Sequence, residues 1–496
     1  MNSPDPALVD FLINRVATYV LDPPQRADAV VTYGGPETIR SAFRSSVPLE
    51  FAEHEPAHDT DAMMAATESV LTWSVATSHP RFVNQNFAGP DPLGVAGDFL
   101  GAALNTTGAT FEVAPVFTLM EHAVLEKLAR LAGFAPSATA DDIPPGMFCP
   151  GGSTGLLYAL QLARHRHEPE LITAGTSGQH YAVFVSESGH YSTRKAAALL
   201  GIGTDAVIKV PTDAAGAMDV GALDEAMALS AAAGRTAIAV VATAGTTVTC
   251  AFDPIDEIAD RCEATGAWLH IDGAYGGSAL FSARHRHRVS GSGRADSIVW
   301  DLHKMMGMTQ QCSVLLLREP DALDPCFSAR ADYLFQPDKR NASLDSGDRT
   351  FQCGRRVDVA KLWLSWKASG DSGFEARIDH AVDVADHVRS RVAQPGSPFS
   401  FVVPGEFTNT CVLWMPPELR DVSIDELSPG DREKLHALAP AVKARMQDEG
   451  TAMIGYQPID GLNCFRLIFM NPRTTTDEAE TLLELIDRYA AEEWTS

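Results

Sequence analysis

The chain has 496 residues, which is long enough for two or three domains with a large core. Its composition, 45% hydrophobic and 21% charged, is typical of a globular protein. The formal net charge of −25 argues against a nucleic-acid-binding face and against adhesion to an anionic membrane, and no run of about 18 or more apolar residues predicts a membrane span.

The cysteines and the N-terminus bear on the cellular compartment. The 8 cysteines are dispersed and form no C-x-x-C pair, which indicates reduced thiols rather than a disulfide framework or a zinc site. The first residues lack the basic start and the apolar core of a secretory signal peptide. We therefore predict a cytoplasmic protein without a structural metal.

Three regions follow one another along the chain. Residues 1–78 are polar and helical in pattern, and their apolar stripe could pack on a partner chain or on the same chain. Residues 79–370 contain an amphipathic helix at 116–134 and then short apolar runs that alternate with helices. The predicted strands of this region are 182–185, 237–242, 267–271, 298–300 and 314–317. This alternation predicts an α/β domain with a mostly parallel sheet.

The third region, residues 371–496, predicts a small α+β domain. A long helical pattern runs to residue 392, and a closing helix is expected at 477–493. The strand candidates between these helices are 399–403, 411–415 and 465–469.

A lysine and an aspartate stand just beyond two of the predicted strands. Lys304 follows the run at 298–300, and Asp272 ends the run at 267–271. A lysine with a lowered pKa can hold an aldehyde as a Schiff base. A carboxylate can keep a pyridinium nitrogen protonated, so that the ring withdraws electrons from the substrate. The two residues together predict a site for pyridoxal 5′-phosphate (PLP).

Other motifs fit this cofactor. Residues 149–155, Cys-Pro-Gly-Gly-Ser-Thr-Gly, precede an apolar helix, where backbone amides and the hydroxyls of Ser153 and Thr154 could bind a phosphate; a simple helix cap is the alternative. His190 and Thr247 each follow a strand-like run and could touch the cofactor or the substrate. The G-x-G-x-x-A pattern at 201–206 precedes a strand-like run instead of following one, so we interpret it as a turn.

With these residues assembled, the chain resembles the group II PLP-dependent decarboxylases, and within them the branch acting on glutamate and cysteine sulfinate. The resemblance covers residues 79–489 and is carried by the stretches 84–85, 114–117, 244–247, 303–307, 333–339 and 352–355. It implies fold type I of PLP enzymes, with a seven-stranded, mostly parallel sheet in the large domain. It also implies an obligate homodimer with active sites at the subunit interface.

The resemblance assigns a role to each matching residue. Lys304 corresponds to the Schiff-base lysine, Asp272 to the pyridinium partner, His190 to the histidine stacked on the ring, and Ala274 to the residue beneath the ring. Ser153, Thr154 and His303 correspond to phosphate-binding positions, and Thr247 lies near the substrate carboxylate. Tyr333 corresponds to the tyrosine that returns a proton after CO2 leaves, and Arg466 and Gln85 to residues that bind the substrate.

Departures from the family pattern bear on the substrate. Phe87 stands where glutamate decarboxylases have a serine, while Thr107 and Ala109 occupy positions that are Asn and Phe in those enzymes. A bulky Phe87 shortens the pocket, so we expect aspartate or cysteine sulfinate to be preferred over glutamate. Glutamate itself and an atypical amino acid remain alternatives. Asp301 and Leu302 replace the usual Asn-Pro before the His-Lys pair, so the phosphate contacts are expected to differ there.

Two other functions remain open at this point. One is a different PLP reaction, such as decarboxylation-dependent oxidation, which the presence of both His190 and Tyr333 disfavours. The other is a PLP-binding protein without catalytic activity, which the complete set of site residues disfavours.

Overall fold

The structure is a computed structural model that describes residues 5–25, 28–135, 143–175, 178, 180–336 and 338–495. Its helices are α1 Pro6–Leu21, α2 Pro36–Arg44, α3 Thr60–Trp73, α4 Pro92–Leu104, α5 Pro115–Ala132, α6 Gly152–His167, α7 Leu171–Ala174, α8 Ser192–Leu199, α9 Val220–Ala232, α10 Ile255–Thr265, α11 Asp324–Phe327, α12 Val359–Val392, α13 Pro429–Glu449 and α14 Thr476–Thr495. Its strands are β1 Phe82–Val83, β2 Gly146–Cys149, β3 Tyr181–Ser186, β4 Val207–Val210, β5 Thr236–Thr243, β6 Trp268–Asp272, β7 Ser297–Asp301, β8 Ser313–Leu317, β9 Phe399–Ser400, β10 Asn409–Trp414, β11 Met453–Ile459 and β12 Leu462–Ile468.

A seven-stranded sheet forms the centre of the larger part of the chain. Its strand order is β2-β8-β7-β6-β5-β3-β4, and β8 runs antiparallel to both of its neighbours while the other pairs are parallel. Strands β7 and β8 are buried along their whole length, as expected for a sheet covered on both faces. The α/β prediction is therefore confirmed, and the five predicted strands are all present as β3, β5, β6, β7 and β8.

A second sheet has five strands in the order β1-β11-β12-β10-β9. Its β1–β11 pair is parallel and the others are antiparallel. Apolar side chains from its strands pack with α13 and α14 in one core that includes Trp414, Phe465 and Tyr489. The tight turn at Asp460 and Gly461, both with positive φ, joins β11 to β12 as a two-residue hairpin.

The chain forms two compact units, each with its own core. One comprises residues 1–92, 381–404 and 408–496, and the other comprises residues 93–380 and 405–407. In the first unit, α1 pairs with α3 through Arg15 and Glu68, 2.6 Å apart. The proposed domain limits at 78/79 and 370/371, and a role of residues 1–78 in dimer packing, stay predictions.

Some elements differ from the sequence prediction. Strand β9 spans only two residues instead of 399–403, and β11 was not predicted. Helix α12 begins well before residue 371 and is interrupted at Gly370, whose φ of 68° is not helical. The turn interpretation of residues 201–206 is confirmed, since a 3₁₀ turn at Thr204–Ala206 leads into β4. Within the described residues, no helix is long and apolar enough to cross a membrane.

Candidate active site

Lys304 and Asp272 lie at the carboxyl ends of neighbouring parallel strands. Strands β6 and β7 pair in parallel with Asp272 opposite Val299, so both strands end at the same edge of the sheet. Asp272 is the last residue of β6, and Lys304 follows the end of β7 by three residues. The carboxyl edge of such a sheet is where open α/β folds bind ligands.

The groups at this edge affect one another's ionisation. Burial raises the pKa of Asp272, and the nearby positive charge of Lys304 opposes that rise. Burial lowers the pKa of His190, while the negative charge of Asp272 acts in the opposite direction. Asp272 accepts a hydrogen bond from the backbone N–H of Ala274, 3.2 Å away. A half-buried carboxylate of this kind suits a cationic partner such as a protonated pyridine nitrogen.

His190 is held in place by its own segment. Its Nδ1 is 2.7 Å from Ser192 Oγ, and its ring centroid lies 4.1 Å from that of Tyr191. The imidazole therefore has a fixed orientation at the end of β3, next to the residues that influence its pKa.

A glycine turn connects β2 to α6 and forms a cradle at the same edge. Gly151 has φ +92°, a conformation that glycine adopts without strain. A Cβ added at Gly152 would lie 3.1 Å from Ala274 Cβ and 3.0 Å from Asp301 Oδ2. The turn thus brings the start of α6 against Ala274 and Asp301, and free N–H groups at a helix start favour an anion.

The two hydroxyl residues of this cradle differ in exposure and in hydrogen bonding. Ser153 is exposed, while Thr154 Oγ1 donates a hydrogen bond to Pro150 O at 3.1 Å. His303 is buried, and its Nδ1 lies 3.2 Å from Ser313 Oγ. Burial lowers the pKa of His303, so it is a neutral imidazole at neutral pH.

Lys304 has an ion-pair partner that the sequence reasoning missed. Its Nζ lies 3.1 Å from Asp301 Oδ2, and Asp301 is 3% exposed. Ser313 Oγ donates to the other carboxylate oxygen, Oδ1, at 2.6 Å. Asp301 directly follows the predicted strand at 298–300, but its contact with Lys304 depends on how the loop after β7 folds back.

The remaining predicted residues of this unit lie on loops. Thr247 and Tyr333 are exposed, with 84% of Tyr333 accessible in the isolated chain. Thr107 Oγ1 accepts from the backbone N–H of Arg355 at 3.0 Å and donates to its carbonyl at 3.2 Å. Arg355 itself is buried and pairs with Glu121 at 3.0 Å. The hydroxyl of Thr107 is therefore engaged by the Arg355 backbone, a contact that the sequence did not reveal.

The other compact unit contains the predicted substrate-binding residues Arg466, Gln85 and Phe87. Arg466, on β12, donates from Nη2 to the carbonyl of Asn84 at 3.2 Å. Gln85 is the next residue and is exposed, and the ring of Phe87 lies 5.6 Å from that of Phe82. The segment after β1 is thus folded against the strand that carries Arg466.

These residues fit PLP in most respects. Four features at one sheet edge match parts of that cofactor. The half-buried carboxylate of Asp272 suits the ring nitrogen, Lys304 the aldehyde, the oriented imidazole of His190 the ring face, and the glycine cradle the phosphate. The carboxylate of Asp301 beside the cradle is a feature that a phosphate does not require. Among the described residues, no cluster of three His, Cys, Asp or Glu side chains could hold a metal ion.

Comparison with known proteins gives concordant results. Residues 43–414 match the model of the pyridoxal-dependent decarboxylase conserved domain. Cysteine sulfinic acid decarboxylase of Rattus norvegicus is 40% identical over 493 residues, covering 98% of this chain and 97% of the relative, and the Homo sapiens protein gives the same values. The crystal structure of mouse CSAD in apo form superposes with a TM-score of 0.90 at 38% identity, covering 98% of this chain and 99% of the other. Oryza sativa TDC with PLP and tryptamine shares the fold, with a TM-score of 0.84 at 24% identity and 99% coverage of both chains.

Proposed function

The chain belongs to the family of pyridoxal-dependent decarboxylases, and we propose that it removes the α-carboxylate of a short acidic amino acid, with cysteine sulfinate or aspartate preferred over glutamate. It is a PLP-dependent amino acid decarboxylase. The observation that carries the proposal is the placement of Asp272 and Lys304 at the ends of two paired parallel strands beside the glycine cradle.

Bound PLP supplies an electron-withdrawing pyridinium ring that accepts the electron pair of the bond to the departing carboxylate. Lys304 would hold the cofactor through Nζ, and Asp272 would keep the ring nitrogen protonated. His190 would stack on the ring above Ala274. Ser153, Thr154 and His303 would hold the phosphate together with the N–H groups at the start of α6.

The substrate is held and reprotonated by other residues in this proposal. Thr247 would lie near the α-carboxylate, and Tyr333 would return a proton to the α-carbon after CO2 leaves. The guanidinium of Arg466 is suited to pair with a side-chain carboxylate or sulfinate by two parallel hydrogen bonds. Gln85 and Thr107 are the other residues that we propose to bind the substrate.

The preference for a short acid rests on Phe87. The ring of Phe87 is half-buried and lies 5.6 Å from that of Phe82, and we expect it to occupy space that a longer substrate side chain would need. Two relatives that are named cysteine sulfinic acid decarboxylases support the same choice. Excluding one methylene is worth about 1–3 kcal/mol, so the preference should be roughly 10–200-fold.

We further propose a cytoplasmic homodimer. Helices α4 and α5 and the segment between them expose the apolar side chains of Leu93, Phe99, Leu100, Leu104, Val113, Val116 and Leu119. An exposed apolar patch of this size is typical of a protein interface. Four of these residues, Leu100, Leu104, Val113 and Val116, line a groove together with Thr107. A partner chain bound in this groove would therefore lie next to Thr107, a proposed substrate-binding residue. The 8 cysteines are present as thiols, which supports a reducing, cytoplasmic compartment.

Three experiments test these points. Borohydride reduction of the purified protein, followed by peptide mapping, should place PLP on Lys304; PLP on another lysine would refute the assignment. A comparison of kcat/KM should rank cysteine sulfinate or aspartate above glutamate, and the reverse order would refute the preference. The double variant Leu104→Glu/Val116→Glu should be monomeric by light scattering. The control Leu229→Glu, at an exposed position of α9, should stay dimeric.

A further inference from the structure

A carboxylate stands beside the glycine cradle of the proposed PLP site. Asp301 ends the buried strand β7 and is 3% exposed. A Cβ added at Gly152 would lie 3.0 Å from its Oδ2 and 3.3 Å from its Oδ1. Both carboxylate oxygens therefore face the turn whose backbone amides are suited to an anion.

The charge of Asp301 is not needed for its structural contact. Ser313 Oγ donates a hydrogen bond to Oδ1 and so links β7 to β8. An asparagine side-chain carbonyl could accept the same hydrogen bond. The negative charge of Asp301 acts instead on the groups that face Oδ2.

The cation that offsets this charge is Lys304, at 3.1 Å from Oδ2. His303 Nε2 lies 3.8 Å from the same oxygen, but burial lowers the pKa of His303, so it adds no charge at neutral pH. Asp272 is acidic too, and the charge of Asp301 contributes to raising its pKa. A Schiff base of Lys304 with the cofactor aldehyde would spread the positive charge of a protonated Nζ into the conjugated ring, so Asp301 would no longer face a compact ammonium.

We propose that Asp301 weakens the binding of the cofactor phosphate, so that this enzyme exchanges PLP readily and its activity follows the supply of PLP. The inference rests on the proposed PLP site. A phosphate dianion in the cradle adds negative charge next to a buried carboxylate, and like charges repel strongly where little water screens them. In the cofactor-free protein, Lys304 neutralises the same carboxylate, which favours the state without PLP.

The test separates the phosphate from the rest of the cofactor. Apo-protein is prepared from purified holoenzyme, and the dissociation constants of PLP and of pyridoxal, which lacks the phosphate, are measured by absorbance. Any effect of Asp301 on the reactivity of Lys304 changes both constants and cancels in their ratio. For Asp301→Asn, we expect the preference for PLP over pyridoxal to rise about tenfold or more, equivalent to about 1.4 kcal/mol.

Controls keep the result interpretable. Asp205→Asn removes a charge on an exposed turn and should leave the ratio unchanged. Asp301→Ser removes the charge in a smaller side chain and should shift the ratio in the same direction as Asp301→Asn. An unchanged or lower ratio in the Asp301 variants, with PLP mapped to Lys304 in the parent protein, overturns the inference alone. Failure of the parent protein to bind PLP at Lys304 overturns the proposed function and this inference together.

Discussion

Replacing Arg355 with methionine should lower the free energy of unfolding by about 3–5 kcal/mol, the usual cost of removing one partner from a buried ion pair. Arg355 Nη1 lies 3.0 Å from Glu121 Oε1, and the two side chains are 3% and 10% exposed. Its guanidinium also donates to the carbonyls of Phe148 and Gly108 at 3.2 and 3.0 Å and to Ser346 Oγ at 2.6 Å. Methionine leaves the Glu121 carboxylate buried without its cation.

The neighbouring residue provides a matched control. Arg356 is 67% exposed and pairs with Asp98 at the surface, so Arg356→Met should cost no more than about 1 kcal/mol. The double variant Arg355→Met/Glu121→Leu removes both charges and should be more stable than the sum of the two single effects by about 0.5–3 kcal/mol.

Urea denaturation at one fixed protein concentration, followed by tryptophan fluorescence, gives the free energies of unfolding of the parent, Arg355→Met, Glu121→Leu, the double variant and the control Arg356→Met. A loss below about 1 kcal/mol for Arg355→Met would contradict the stabilising role that we assign to the pair. Strict additivity in the double variant would contradict direct coupling between Arg355 and Glu121.

Three further predictions concern catalysis, specificity and acid stability. Tyr333→Phe should retain PLP and consume substrate but divert more turnovers to aldehyde and pyridoxamine phosphate, as checked by chromatography of the products. Amine formed at the parent rate without such diversion would refute the role of Tyr333 as proton donor. In steady-state kinetics, Phe87→Ser should raise kcat/KM for glutamate relative to the shorter acids, and Arg466→Met should lower kcat/KM for all three acids. Turnover of a neutral amino acid that Arg466→Met leaves unchanged would contradict the assignment of Arg466 as the residue that binds the acidic side chain. Burial lowers the pKa of His270 to about 3, so below about pH 6.5 the unfolded chain binds the extra proton and this group costs the folded state up to about 1.4 kcal/mol per pH unit. His270→Gln should therefore reduce the fall in the free energy of unfolding between pH 6 and 4, measured by urea titrations. An equal fall in the variant and the parent would show that His270 does not cause this pH dependence.

The placement of Lys304 and Asp272 at the same edge of the sheet could be predicted, because the carboxyl ends of neighbouring parallel strands meet at one edge. Apolar runs of three to six residues also sufficed to predict β3, β5, β6, β7 and β8. The antiparallel direction of β8 depends on its pairing with β2, which is distant in sequence, and no local pattern reports such a pairing.

Other features were missed for identifiable physical reasons. Strand β11 contains Gly455 and Pro458, both unfavourable in a strand interior, although the Asp460-Gly461 pair is a strong hairpin signal that could have revealed it. The contact between Asp301 and Lys304 depends on how the loop after β7 folds back, and the backbone contact of Thr107 with Arg355 joins residues far apart in the sequence. Loop geometry of this kind follows from tertiary packing rather than from local propensity.

The most direct test of the central claim is to follow the α-carboxylate itself. Purified enzyme with PLP is given aspartate, cysteine sulfinate or glutamate labelled with carbon-13 only at the α-carboxyl carbon, and the released gas is analysed by mass spectrometry. We predict labelled CO2 and the corresponding amine, faster from the two shorter acids than from glutamate, and none from Lys304→Ala. Unlabelled CO2, product without CO2 release, or equal activity in Lys304→Ala would contradict α-decarboxylation at this site.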